Sequence, residues 1–254
     1  MLSKFLITLA VSASGALAAT PAGFEPGSQT SLLVTFGNVA AQDGVVVAKD
    51  ITQTAPTIAT QSKLDGTSFA VLMIDLDIPT DSPPQTNTLL HWMQTGLTQS
   101  SSAVSLNTTS GSKSAFEFSI PGDAAFAPYL GPAPPARIPL SHRYTQIIVD
   151  TSDVTDAGLA ALKAAAANRM GFNAENVLTS AGLVDQVVAG NFFNVTNPGP
   201  VTGTTTSNST TGGNNGTSSS NPPSQVPVAA AANSQQASAS LLAVVMMTVA
   251  YFTL

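Results

Sequence analysis

The chain contains no cysteine. That removes disulfides, thiolate metal ligands and cysteine nucleophiles together. Charge is scarce as well: 9% of the 254 residues are charged, with eight Lys and Arg against 14 Asp and Glu, for a net charge of −6. A typical soluble domain carries about a quarter. The basic residues are scattered, so nothing in the chain neutralises a phosphate backbone, and nucleic acid is excluded as a partner. Catalytic signatures are missing too. There is no G-x-S-x-G, no P-loop, no dinucleotide fingerprint and no H-E-x-x-H. Ser141 precedes His142, but neighbours along a strand face opposite ways, so they do not form a nucleophile–base pair. The expectation is a protein that is not an enzyme and carries no cofactor.

Apolar residues make up 43% of the chain, and part of that excess lies at the two ends. Residues 1–18 read as a secretory signal peptide: Lys4 supplies the positive start, residues 5–11 the apolar stretch, and Ala16-Leu17-Ala18 a small-x-small cleavage signal. No charged residue follows Asp185. Residues 198–233 are rich in Ser, Thr, Gly, Asn and Pro, a composition that cannot bury enough apolar surface to offset its ordering entropy. They read as a disordered, glycosylated stalk. Residues 234–254 combine a short polar spacer with a terminal apolar run, which reads as a removable glycosylphosphatidylinositol (GPI) attachment signal, with Asn233 as the expected attachment residue. Sequons stand at Asn107, Asn194, Asn208 and Asn215, and a secreted chain makes each a site for N-glycosylation. The expected location is the cell surface, with the membrane reached only through the anchor and transfer to the wall open.

The remaining residues, 19–197, read as one mainly β domain. Short apolar or β-branched runs at 31–36, 45–49, 57–60, 69–77, 89–94, 115–120 and 144–150 are separated by Gly, Pro, Asn and Asp. A helix is predicted over 154–170 with Asp153 as N-cap, and a shorter one over 174–181 between Asn173 and Gly182. Residues 187–193 read as a last strand. Many short strands favour a sandwich or barrel.

What polar chemistry there is concentrates in two stretches, VLMIDLDIPTDSPPQTNTLLHWM at 71–93 and YLGPAPPARIPLSHRY at 129–144. The uninterrupted apolar run 71–74 suits a strand buried on both faces. Asp75 and Asp77 follow at a spacing of two, which puts both carboxylates on one side if the strand continues. Three roles fit these residues. Two imidazoles and a carboxylate suit a divalent ion, though no ligand spacing supports one. The acids suit turn capping, His91 a satisfied core position and the prolines a stiff loop. Alternatively, Gly131 permits close backbone approach, the prolines fix a concave loop, and His142 with a Tyr hydroxyl supplies donors for an anion.

The two stretches resemble the two signature segments of the phosphatidylethanolamine-binding protein (PEBP) family. Asp75, Asp77, Pro79, Thr80, His91 and Trp92 match an approximate D-P-D-x-P-[ST] segment and the H-[FW] strand that follows it. Tyr129, Gly131, Pro134, Pro135, His142, Arg143 and Tyr144 match Y-x-G-x-x-P-P closed by H-R-Y. Residues 187–193, VVAGNFF, resemble the family's closing strand. Leu76 and Ala133 depart from the pattern, standing where Pro and Gly are usual. The resemblance implies an antiparallel β-sandwich with one or two short helices toward the C-terminal end of the domain. It implies a small pocket for phosphate-type anions, including phospholipid head groups, built from Asp75, Asp77, Pro79, His91, Tyr129, Gly131, Pro134, His142 and Tyr144. It also leaves open a protein-interaction or protease-inhibitor role, or a wall protein that makes no use of its pocket. The domain on an anchored Ser/Thr stalk resembles fungal cell-surface proteins.

The end-of-chain signals lead to a direct expectation. A phospholipase specific for the inositol anchor should release the protein from membranes, with a glucanase control for wall-linked material. Retention in the detergent phase would contradict the anchor.

Overall fold

The computed structural model describes residues 19–199 apart from 110 and 124. The proposed signal peptide, the stalk from residue 200 onward and the anchor signal, with Asn208, Asn215 and Asn233, lie outside them. The strands are β1 Leu32–Phe36, β2 Val39–Ala40, β3 Thr57–Thr60, β4 Phe69–Pro79, β5 Thr86–Gln99, β6 Val104–Thr108, β7 Gly111–Ser119, β8 Ser141–Asp150 and β9 Val187–Thr196. The helices are α1 Asp156–Ala166 and α2 Ala174–Ala181. The fold is mainly β, with both helices in the C-terminal part of the domain.

Pairing between named strands is antiparallel throughout, in the order β2-β1-β3-β7-β5-β4-β8-β9, with β6 added to β7. Strand β5 is the corner. Its first part pairs with β4, and its end, Thr98 and Gln99, pairs with β7. Gly96 lies just before the change of partner with φ 76, a conformation that costs a residue with a Cβ. The path curls back on itself: Ser31 bridges Gly190 and Val46 bridges Asn194. One core therefore lies between the two halves of the curled sheet, with Leu32, Val34, Ile58, Phe69, Val71, Met73, Trp92, Phe118 and Phe193 among its members. A second core covers the outer face of β4, β5 and β8, where Leu72, Ile74, Leu90 and Ile147 pack against Leu162, Phe172 and Leu178.

Two cores explain why residues 71–74 show no alternation. Val71 and Met73 enter one core and Leu72 and Ile74 the other, so both faces of β4 are apolar. The shorter helix has the predicted bounds. Asn173 accepts from the Asn176 N–H at 2.8 Å, and Gly182 closes it with φ 72.

The structure departs from expectation in three places. Residues 45–49 form no strand: Val45 and Val46 are exposed and make only a bridge to β9, and a 3-10 turn, Lys49–Gln53, follows. The first helix is shorter than 154–170, with Thr155 rather than Asp153 as its cap, its hydroxyl accepting from Gly158 N–H at 3.1 Å. It ends early because residues 169–171 are drawn onto β5: Leu90 N–H donates to Arg169 O at 2.9 Å and Gly171 N–H to Thr88 O at 2.8 Å. Strands β2 and β6 were not expected; they are short, and β6 is largely exposed.

Leu72 is fully buried between the sheet and the helices. Leu72→Ala should cost about 2–5 kcal/mol in denaturant unfolding, whereas Val46→Ala, at an exposed site, should stay within about 0.5 kcal/mol. Equal effects would contradict the two-core arrangement.

Candidate functional site

The site lies where β4, β5 and β8 end together against the loop 128–140. Register accounts for much of it. Asp75 stands opposite both Leu89 and Tyr144. His142 and Tyr144, two apart on β8, face the same side. His91 is brought in by a bulge: Met73 pairs with Trp92 and Ile74 with Leu90, which leaves His91 without an opposite residue. A bulge re-aims a side chain in this way.

Asp75, His91, His142 and Tyr144 are all nearly inaccessible to solvent, at 1%, 3%, 0% and 0% exposure. His142 Nδ1 lies 2.7 Å from Asp75 Oδ2, and His91 Nε2 lies 3.9 Å from the same oxygen. The other Asp75 oxygen accepts from the Asp77 N–H at 2.8 Å. His91 Nδ1 donates to the Leu130 carbonyl at 2.7 Å, and the Leu130 N–H donates back to the His91 carbonyl at 2.8 Å. Tyr144 meets His91 edge-on at 5.1 Å between ring centroids and stacks on Phe193 at 5.6 Å. His91 Nε2 and His142 Nε2 are buried without a hydrogen-bond partner, and the buried Tyr144 hydroxyl, within reach of the Asp75 carboxyl and the Ala133 backbone, makes no well-formed bond to either. Such atoms are costly to leave unpaired.

These residues border a cavity of about 120 Å³, completed by Ile78, Leu89, Leu130, Gly131, Ala133 and Pro135. Pockets for drug-sized ligands measure about 300–1,000 Å³, so only a small group fits here. Burial holds the His91 imidazole below its ordinary 6.5, against the pull of the Leu130 hydrogen bond and of Asp75; Arg169 adds to the lowering. Burial, and then the charge of Asp75, keep the Tyr144 hydroxyl protonated well above the usual phenol range. Among the described residues no group of His, Asp and Glu is arranged to hold a metal ion.

The other expected residues are placed around this cavity rather than on it. Asp77 turns away from Asp75. The N–H of Asp77 folds back onto the Asp75 carboxyl, and β4 loses its alternation there. The Asp77 carboxylate then accepts from the Arg143 backbone N–H and Nε at 2.8 Å each and from Nη2 at 2.7 Å. Both carboxylates on one side, as a continued strand would give, is thus corrected. Pro79 ends β4. Tyr129 donates its hydroxyl to Thr52 O at 2.8 Å and packs edge-on against Trp92; burial pushes that phenol up as well. Pro134 is buried, and its carbonyl accepts from Asn197 Nδ2 at 2.8 Å. Of the sequons, Asn107 is exposed on β6, while Asn194 is half-buried with its Nδ2 donating to Gly44 O at 2.6 Å.

Several residues that hold the rim carry no signal in the sequence. Gln53 Nε2 donates to the Pro132 carbonyl at 2.9 Å. A Cβ on Gly131 would lie 2.7 Å from Gln53 Oε1 and 3.0 Å from its Cα, so only glycine allows this approach. Arg169 donates to the carbonyls of His91 at 3.2 Å and Pro128 at 2.8 Å, tying the bulge to the loop.

A curled antiparallel sheet with a small cavity over a buried Asp–His group at one end suits a small binding module, and comparison with known proteins gives its family. The family profile described as phosphatidylethanolamine-binding protein matches residues 28–193. The chain is 31% identical over 208 residues to the Phomoidride biosynthesis cluster protein N of Talaromyces stipitatus, an alignment covering 76% of this chain and 96% of that one. Among solved structures, carboxypeptidase Y inhibitor complexed with its cognate proteinase aligns with 67% of this chain and 84% of that one at 19% identity and a TM-score of 0.47. The phosphatidylethanolamine-binding protein from Plasmodium vivax aligns with 65% and 84% at 18% identity and a TM-score of 0.43. This chain belongs to the phosphatidylethanolamine-binding protein family.

The Asp77–Arg143 pair has a pH signature. Burial alone would raise the Asp77 pKa, but the Arg143 hydrogen bonds and charge hold it below the ordinary 3.8. Its stabilisation is complete above that value and is lost as pH falls through the lower folded one. Arg143→Gln should therefore be less stable than wild type at neutral pH, with the gap closing below about pH 4. A gap in urea unfolding that stays constant down to acid pH would contradict the pair.

Proposed function

We propose that this chain is a cell-surface binding module whose cavity takes a phosphate-type group, free or on a phospholipid head group, and that it performs no catalysis. The observation that carries this reading is the pair of unpartnered imidazole nitrogens, on His91 and His142, with the Tyr144 hydroxyl beside them, at the wall of one small cavity. A compact oxyanion that carries or gains a proton can partner an imidazole Nε2 and accept from the Tyr144 hydroxyl, which a purely structural role does not provide. The size of the cavity favours a head group over a whole lipid. The signal peptide, stalk and GPI signal read from the sequence support a surface location, and the sequons support a glycoprotein.

A second reading, a protein-interaction or protease-inhibitor module, is favoured by the exposure of Leu130 and Ile138 at 45% and 52% on the loop that forms the rim.

Titration calorimetry of the full chain with phosphate and phosphoethanolamine tests the proposal. His142→Ala should weaken binding by about one to two orders of magnitude, the loss of a charge-assisted bond of about 1.5–3 kcal/mol. Asp75→Ala should weaken it by releasing His142. Asp185→Ala, at an exposed position far along the chain, should change nothing. Equal binding by wild type and His142→Ala would overturn the anion-cavity reading.

A further inference from the structure

The residues around the cavity pose a charge problem for any anion. None of them is Lys or Arg, so no permanent cation lines it. Donors are few. Pro132, Pro134 and Pro135 have no N–H, and the Leu130 N–H is already given to the His91 carbonyl. The rim from 130 to 135 therefore has at most the N–H groups of Gly131 and Ala133 left to offer. Tyr144 adds one hydroxyl.

The two imidazoles do not fill the gap as they stand. His91 Nδ1 faces the Leu130 carbonyl, which only accepts, so the ring proton is on Nδ1. His142 Nδ1 faces Asp75 Oδ2 in the same way. In each neutral ring the Nε2 atom is then a lone pair, and both Nε2 atoms are buried and unpartnered. A fully deprotonated oxyanion would set its own lone pairs against two more.

We infer that the cavity binds an oxyanion together with a proton: its ligand class is the phosphomonoester or inorganic phosphate, and phosphodiesters are disfavoured at neutral pH. A monoester brings the proton on a P–OH that donates to Nε2, or gives it to His91 so that Nε2–H donates to the anion. Either way one proton is gained by the complex and no other bond changes. A diester has no P–OH, so an imidazole must take its proton from solvent. The groups facing His91 set the ease of that step. Asp75 on β4 favours it, while Arg169 beyond α1 and a charged His142 on β8 oppose it; Tyr144 faces the ring as a neutral phenol. Burial, which holds His91 below its ordinary range, opposes it most. The inference rests on the phosphate reading above and narrows it.

Calorimetry of the full chain at pH 7.5, in two buffers of different ionisation enthalpy, measures the proton directly. The probes are inorganic phosphate, phosphoethanolamine and glycerophosphoethanolamine. A phosphomonoester loses its second proton near pH 6. Phosphoethanolamine should therefore bind with uptake of about one proton, inorganic phosphate, which keeps its second proton to higher pH, with uptake of only part of one, and the diester at least about tenfold more weakly. At pH 5.5 the diester should close much of that gap. His91→Gln, whose amide can donate without a proton, should reduce the uptake and narrow the difference. Sedimentation with phosphatidylcholine vesicles containing phosphatidic acid, a monoester, identifies a lipid source; binding of the soluble monoesters alone identifies a free one, and both outcomes support the inference. Monoester and diester binding equally, with no proton uptake, would overturn the inference while leaving the phosphate reading standing. Failure of all three probes at both pH values would overturn both.

Discussion

Everything at the functional end of this domain depends on one buried carboxyl. Asp75 sits where β4 stops being a two-faced apolar strand, and it is the partner that fixes His142, a carboxyl 3.9 Å from His91 Nε2, and the acceptor for the Asp77 N–H. A carboxyl this far from solvent is tolerated only when hydrogen-bonded. The contacts of Asp75 therefore impose a geometry: His142 must present Nδ1 to it, so Nε2 is left to point elsewhere. The bulge at His91 and the stacked Tyr144 follow the same end of the sheet, and the cavity is what their placement encloses.

The second constraint is the rim. A loop with four prolines between 132 and 139 pays little entropy to be ordered, but it offers few N–H groups of its own to bond to a sheet. It is held instead from outside. Gln53 from the 3-10 turn, Arg169 from the segment after α1 and Asn197 from the end of β9 all donate to its carbonyls. Three distant stretches of chain thus converge on one loop. The Asp77–Arg143 pair braces the opposite side, at the point where the β4–β8 ladder ends.

Much of this was legible in the sequence, and the parts that were not share a cause. Residues 57–60 and 174–181 announce themselves by local signals, and the run 71–74 announces burial on both faces. The residues that meet at the cavity could be named because two compact segments resemble those of the family. What sequence could not show is where a local rule yields to a distant partner. Residues 167–170 continue a helical pattern, yet β5 takes residues 169–171 as an edge. Asp75 and Asp77 have the spacing of one strand face, yet the Asp77 N–H folds back onto the Asp75 carboxyl at a register shift within β4, and the two carboxylates part. Gln53, Arg169 and Asn197 lie in unremarkable stretches, and only the folded loop gives them a role.

The central claim is that both imidazoles are held by Nδ1 and present bare Nε2 atoms to the cavity. The most direct measurement is the nitrogen NMR spectrum of the two histidines in uniformly 15N-labelled protein at neutral pH, without and with phosphate. The account predicts that both rings of the free protein carry a proton at Nδ1, that His91 is neutral, and that phosphate shifts at least one Nε2 toward a hydrogen-bonded or protonated nitrogen. Rings protonated at Nε2 in the free protein, or spectra indifferent to phosphate, would contradict it.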